Sequence, residues 1–209
     1  MKKIAAFFVD CQKGFTPLCP NELPVKEGHL IVDELNKIIT QVKAMYLVGS
    51  KDCHPVNATW IAPSPDKILQ PVPNGGPNID VYWPAHCIVG TKGNELLDGI
   101  PSVENFDFFI FKGIEPNLHP YGACYHDIKE ELSTGVIEYL WEKGVTEVVV
   151  GGLATDYCVK TTALQLKEAG FKVTIPLSAC RGVAPDTTDK AIGEMKSKGI
   201  RIVQSVSDL

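Results

Sequence analysis

Cysteine pairs at CxxC spacing are missing from this chain, and so is any apolar run approaching the roughly 20 residues that a membrane-spanning helix requires. The seven cysteines, Cys11, Cys19, Cys53, Cys87, Cys124, Cys158 and Cys180, are scattered and odd in number, which excludes a four-cysteine zinc knuckle and a fully paired disulfide framework. Each, taken singly, reads first as a small buried hydrophobe. No block of one charge sign stands out: charged residues make up 22% and the formal net charge is -5, an ordinary soluble composition that argues against a nucleic-acid partner. Neither GxGxxG nor GxxxxGK[ST] occurs, which sets aside the common phosphate loops. The start Met1-Lys2-Lys3-Ile4 runs straight into an apolar segment containing Asp10, without a signal-peptide cleavage pattern, so a cytoplasmic protein that neither spans nor binds a membrane is expected. Internal repeats, low-complexity stretches and linkers are also missing, and 209 residues at 44% hydrophobic suffice for one sizeable core. A single domain over 1–209 is expected.

What is present is an alternation of short apolar runs and amphipathic segments. Lys3 to Val9 reads as a strand, Ile31, Leu35, Ile38, Ile39 and Val42 recur at helical spacing, and Met45 to Val48 reads as a second strand. Phe106 to Phe111 is a third strand. Ile128, Leu132, Val136, Leu140 and Trp141 predict a helix leading into the strand Val148 to Val150. Thr155 to Ala169 predicts a helix ended by Gly170, Val173 to Ile175 a strand, Thr187 to Lys198 a helix ended by Gly199, and Ile200 to Val203 a last strand. This alternation predicts an α/β fold of three layers, α/β/α, around a central, mostly parallel six-stranded sheet. The connection 51–105 breaks the rhythm with many prolines and the Asn74-Gly75-Gly76-Pro77 turn, and a loop of that length is usually functional.

Ligands of open parallel sheets bind outside the carboxyl ends of the strands, and the residues found there are reactive. Asp10 follows the first strand, Asp52 and His54 the second, Lys112 closes the third, and Cys158 lies just beyond the fourth. Each has a plain structural reading, as a turn residue, a snorkelling lysine or core packing, but the five together weaken it. In Gly151-Gly152-Leu153-Ala154-Thr155-Asp156-Tyr157-Cys158 the thiol falls in the first turn of a helix, where unpaired amides and positive partial charge lower a thiol pKa and hold an oxyanion. Lys112 would lower it further and Asp10 could take its proton, giving a nucleophile without a histidine base. Asp52, His54 and, on the long connection, His86 form one carboxylate and two imidazoles, a set that suits zinc, iron or manganese. Cys53 and Cys87 are set aside as ligands, because side chains adjacent in extended chain diverge and Cys87 would need a tighter loop around His86. His119 and His126 lie in a polar loop and are expected to be solvated, and His29 to sit near a helix start.

These motifs occur in an order that resembles the nicotinamidase branch of the isochorismatase-like hydrolases. The resemblance runs through Phe8-Val9-Asp10-Cys11-Gln12, Ser50-Lys51-Asp52-Cys53-His54-Pro55, Trp83-Pro84-Ala85-His86-Cys87, Phe111-Lys112-Gly113 and Gly151 to Val159, and spans about Ile4 to Val203. It implies Asp10 as general acid/base, Lys112 as its electrostatic partner and Cys158 as nucleophile, with the backbone amides of Ala154 and Cys158 holding the oxyanion beside a cis peptide between Leu153 and Ala154. It also implies one divalent transition metal on Asp52, His54 and His86, zinc foremost with iron or manganese as alternatives, and an aromatic pocket using Phe15, Trp83 and Tyr121. Some relatives carry a further histidine ligand about six residues after the DxH histidine. Here Trp60 stands in that place, so three protein ligands and waters are expected.

The activity so implied is hydrolysis of nicotinamide to nicotinate and ammonia through a Cys158 thioester, serving NAD salvage, with pyrazinamide as a second substrate. The expected partner is that small molecule, and a homo-oligomer is compatible with the sequence. A superfamily amidase acting on ureido or carbamoyl substrates is the nearest rival, since the Asp-Lys-Cys set does not choose the acyl group. Isochorismatase chemistry, which needs no cysteine, and a non-catalytic thiol or metal-binding module are the others.

Overall fold

A computed structural model describes residues 2–209. Its centre is a seven-stranded parallel sheet formed by β1 (Ile4–Val9), β2 (Tyr46–Asp52), β3 (Phe108–Lys112), β4 (Glu147–Leu153), β5 (Lys172–Pro176), β6 (Cys180–Arg181) and β7 (Arg201–Val203). The order is β3-β2-β1-β4-β5-β7, with the two-residue β6 pairing with β4. The expectation of six strands is thus short by β6, which is too brief to leave a hydrophobic pattern. Four α-helices cover the sheet: α1 (Val32–Gln41), α2 (Val136–Glu142), α3 (Lys160–Glu168) and α4 (Pro185–Ser197).

Alternation along the central strands sends side chains into two cores. Ala5, Phe7 and Val9 of β1 join Val148 and Val150 of β4 on the face covered by α2, α3 and Met195 of α4, whereas Ala6, Phe8 and Val149 face α1. Both Phe7 and Phe8 are essentially unexposed, so truncating either to alanine should cost about 3–5 kcal/mol. In α1, Leu35 and Ile38 are buried with Ile31 just ahead of it, the spacing read from sequence, and Asp33 and Glu34 sit in its first turn where the helix dipole favours them. It ends where Lys43 takes a left-handed backbone with φ 50°.

Two helices depart from expectation. The segment from Ile128 to Leu132 is not helical, because Asp127 Oδ1 accepts the amides of Glu131 at 3.0 Å and Leu132 at 2.9 Å, an alternative to helical pairing. The helix starts only after Gly135, whose φ of 83° breaks the backbone direction. The segment expected as one helix from Thr155 begins as a π-helical turn, Thr155–Val159, and becomes α-helical at Lys160.

The chain steps from β1 to β2 to β3 in one direction and places β4 on the other side of β1. The strand order therefore reverses between β1 and β4, which opens a crevice at their carboxyl ends. The long connection after β2 folds over this end and builds a small core of its own from Ala58, Trp60, Ile79 and Trp83. No helix among the described residues is long and apolar enough to cross a membrane.

Candidate active site

Four adjacent strands deliver the polar residues. Asp52 and Lys112 end β2 and β3 as direct neighbours in register, Asp10 follows β1 with a left-handed φ of 46°, and Cys158 lies on the turn after β4. Gly152 lets β1 and β4 approach: its φ is 135° and a Cβ there would lie 2.8 Å from the Val9 carbonyl carbon. The peptide between Leu153 and Ala154 is cis, as the resemblance implied.

Lys112, wholly buried, is the hub of the cluster. Its Nζ donates to Asp52 Oδ1, lies 3.0 Å from Asp10 Oδ2, and reaches Cys158 Sγ at 3.8 Å and the Pro120 carbonyl at 3.4 Å. The Asp10 contact is Coulombic and misaligned for a hydrogen bond, so buried Oδ2 keeps a free lone pair, while Oδ1 accepts the Ser50 hydroxyl at 2.7 Å. Burial pushes Asp10 up to about 6 although Lys112 pulls it down. Burial opposes charge on Asp52 and Lys112 too. At Asp52 the Lys112 ammonium, with the His54 ring beside it, outweighs burial and holds the carboxyl below its usual range. At Lys112 the charges of Asp10 and Asp52 outweigh it and hold the ammonium well above. The expectation of a lowered thiol is corrected: Lys112 does act in that direction, but burial, reinforced by Asp10 and Asp52, holds Cys158 well above an ordinary cysteine. At rest the sulfur carries its proton.

A second cluster adjoins the first. Ligand nitrogens of His54, His86 and His119 lie within 4.8 Å of one another, all three rings are buried, and Asp52 Oδ2 is 3.5 Å from His54 Nε2. His54 Nδ1 meets the Gly113 carbonyl at 3.1 Å and His86 Nδ1 the Pro84 carbonyl at 2.7 Å. A carbonyl only accepts, so both Nδ1 atoms carry the hydrogen and both Nε2 atoms present lone pairs, as metal-binding imidazoles do. Burial, with help from His54, lowers His86 to about 3, so its ring is neutral. His54 Nε2 is buried without a protein partner. Three imidazoles, one carboxylate and an orphaned lone pair fit a divalent transition metal.

The amide of Gln12 holds Asp52 from behind. Its Oε1 accepts the Asp52 amide at 2.7 Å and its Nε2 donates to the Asp52 carbonyl at 2.8 Å, copying a strand neighbour. Asn94 Nδ2 donates to the same carbonyl at 2.7 Å and to that of Cys87 at 3.1 Å, tying the His86 loop to β2.

Above both clusters lies a cavity walled by Phe15, Trp83, His86, His119, Tyr121, Ala154, Tyr157 and Cys158 among others. Trp83 Nε1 donates to Tyr121 Oη at 3.1 Å, and that hydroxyl donates to Asp80 at 2.9 Å. Tyr157 stands edge-on to Trp83 with ring centroids 4.9 Å apart. Every site residue read from the sequence is thus brought to one crevice. Missed were Gln12, Asn94, Tyr157 and above all His119, which was expected in solvent and is 4% exposed, whereas His126 is half-buried outside the site. His119 follows the carboxyl end of β3, so the strand-end rule that selected its neighbours would have selected it too.

The chain belongs to the isochorismatase family: the model of the isochorismatase domain matches residues 5–207. Among individual relatives, the nicotinamidase of Acinetobacter baylyi is 30% identical over 207 residues, covering 96% of this chain and 92% of that protein. A solved nicotinamidase and pyrazinamidase of Acinetobacter baumanii superposes with a TM-score of 0.87 at 29% identity, covering 100% of this chain and 99% of that one. The pyrazinamidase of Pyrococcus horikoshii, solved in complex with zinc, gives a TM-score of 0.74 at 30% identity, covering 97% and 99%.

Proposed function

We propose that this protein is a nicotinamidase that hydrolyses nicotinamide to nicotinate and ammonia and also accepts pyrazinamide. The observation that carries the reading is the convergence of Asp10, Lys112 and Cys158, a buried base, a buried cation and a thiol, beneath an aromatic cavity. Planar rings suit walls made of Phe15, Trp83 and Tyr121, which favours a heteroaromatic amide over an open ureido or carbamoyl chain.

With the carboxamide carbon over Sγ, Asp10 Oδ2 accepts the thiol proton as sulfur bonds to carbon. The transfer is uphill at rest and becomes favourable only as the carbon–sulfur bond forms, so the nucleophile is unmasked by its substrate. The amides of Ala154 and Cys158 hold the developing oxyanion. Asp10 returns the proton to nitrogen, the carbon–nitrogen bond breaks, and ammonia leaves a thioester on Cys158. Asp10 then deprotonates a water that attacks the thioester, nicotinate departs, and the sulfur regains a proton. Throughout, Lys112 stays cationic and stabilises the carboxylate and thiolate in turn. Asp52, His54 and His86 would hold a divalent transition metal, which when bound supplies a Lewis-acidic site for the pyridine nitrogen. The test is ammonia and nicotinate release when nicotinamide is added to the purified protein. Equal turnover of a ureido substrate, with none of nicotinamide, would refute the proposal.

A further inference from the structure

We propose that His119 is a fourth protein ligand of the metal centre, an inference that rests on the reading of Asp52, His54 and His86 as its other ligands. Three observations carry it. The first is position: a ligand nitrogen of His119 lies within 4.8 Å of those of His54 and His86. One ion with metal–nitrogen bonds of about 2.1 Å holds its donors roughly 3–4 Å apart, so small side-chain rotations close the set. The second is an unmet need, because His119 is 4% exposed and its Nδ1 is buried with no partner. A neutral imidazole is a donor at one nitrogen and an acceptor at the other, and buried polar atoms in folded proteins are otherwise almost always satisfied.

The third observation is that the ring is held for this geometry. Trp60, which cannot itself coordinate, packs against His119 with centroids 4.3 Å apart and against His54 at 4.5 Å, so one indole supports two of the imidazoles. His119 also sits 5.7 Å from His54 and 6.2 Å from His86, centroid to centroid. In this arrangement His119 replaces one of the waters expected on the metal, and the loop after β3 becomes part of the coordination shell.

Histidine-selective ¹⁵N NMR of the whole wild-type protein, titrated with zinc(II), tests the assignment without any substitution. Ring nitrogens of His54, His86 and His119 should all shift on binding one equivalent. Shifts confined to His54 and His86 would overturn the role of His119 while leaving the metal centre standing, and no shift in any ring would refute the centre and the inference together. As a second measurement, chelator competition should show zinc affinity at least about tenfold weaker in His119→Ala, comparable with or beyond the loss seen when groups outside the coordination shell are removed. Unchanged affinity in a variant whose circular dichroism matches the wild type would overturn the proposal.

Discussion

Asp52 is shared between two clusters: its Oδ2 lies 3.5 Å from His54 Nε2 while its Oδ1 accepts from Lys112. One carboxylate thereby links the imidazole cluster to the ammonium that faces both the base and the nucleophile. The charge it offers to one side is felt on the other, because both partners are buried in a medium where screening is weak. The following expectations turn on that arrangement.

Asp10 has a folded-state value of about 6 against an ordinary 3.8. The folded chain therefore binds this proton more tightly than the unfolded chain, so its contribution to stability is complete below about 3.8 and is lost as the pH climbs through about 6. Asp10→Asn does not titrate, so its melting temperature should gain on that of the wild type across the same window. Activity should run the other way, with wild-type kcat/KM rising through about pH 6 as the base is freed. A constant gap between the two melting curves would show that Asp10 does not titrate there.

Cys158→Ala should fold, lose about 1 kcal/mol or less of stability, and have no measurable turnover. In the wild type, acid quenching during nicotinamide turnover followed by peptide mass spectrometry should find an acyl group on Cys158 and on none of the other six thiols. An acyl group on another thiol, or residual turnover in the alanine variant, would remove Cys158 from the reaction.

Gln12→Ala removes two hydrogen bonds to the Asp52 backbone and takes the Gln12 acceptor from its buried amide, while its carbonyl keeps the bond from Asn94. A loss of about 1–3 kcal/mol per unsatisfied group is expected in denaturant melts, with kcat reduced more than KM is raised. A variant of wild-type kcat would mean that β2 pairing alone positions the carboxylate.

Benzamide matches nicotinamide in shape but lacks the ring nitrogen. If that nitrogen orients the substrate, kcat/KM for benzamide on zinc-loaded enzyme should fall by as much as roughly 10⁴-fold. Similar values for the two amides would show that ring stacking alone aligns the carboxamide.

Much of this site was readable in the sequence because a parallel sheet concentrates chemistry at one place. Strands were visible as apolar runs, and the residue after each run, Asp10, Asp52 with His54, Lys112 and, past two glycines, Cys158, needed only the rule about carboxyl ends. What stayed hidden depends on long-range burial. His119 in Leu118-His119-Pro120 looks like solvated loop, and nothing local announces that Trp60 and Trp83 fold over it. The direction of the Cys158 shift was misjudged for the same reason, since the helix start and Lys112 are local features whereas desolvation belongs to the whole crevice. The late start of α2 reflects Asp127 capturing two amides, a choice between local hydrogen bonds that periodicity does not weigh.

The in-register pairing of Asp52 with Lys112 also bears on how the protein matures. It joins residues 60 positions apart, and the centre is complete only when β4 has docked against β1 to bring in Cys158. Such distant contacts form late, because the entropy of closing long loops must be met before they return any stabilisation. During refolding, recovery of turnover should therefore trail recovery of helical circular dichroism, and a chain released before β4 is made would hold the base and the cation but no nucleophile. Catalytic competence in this molecule marks completion of the sheet.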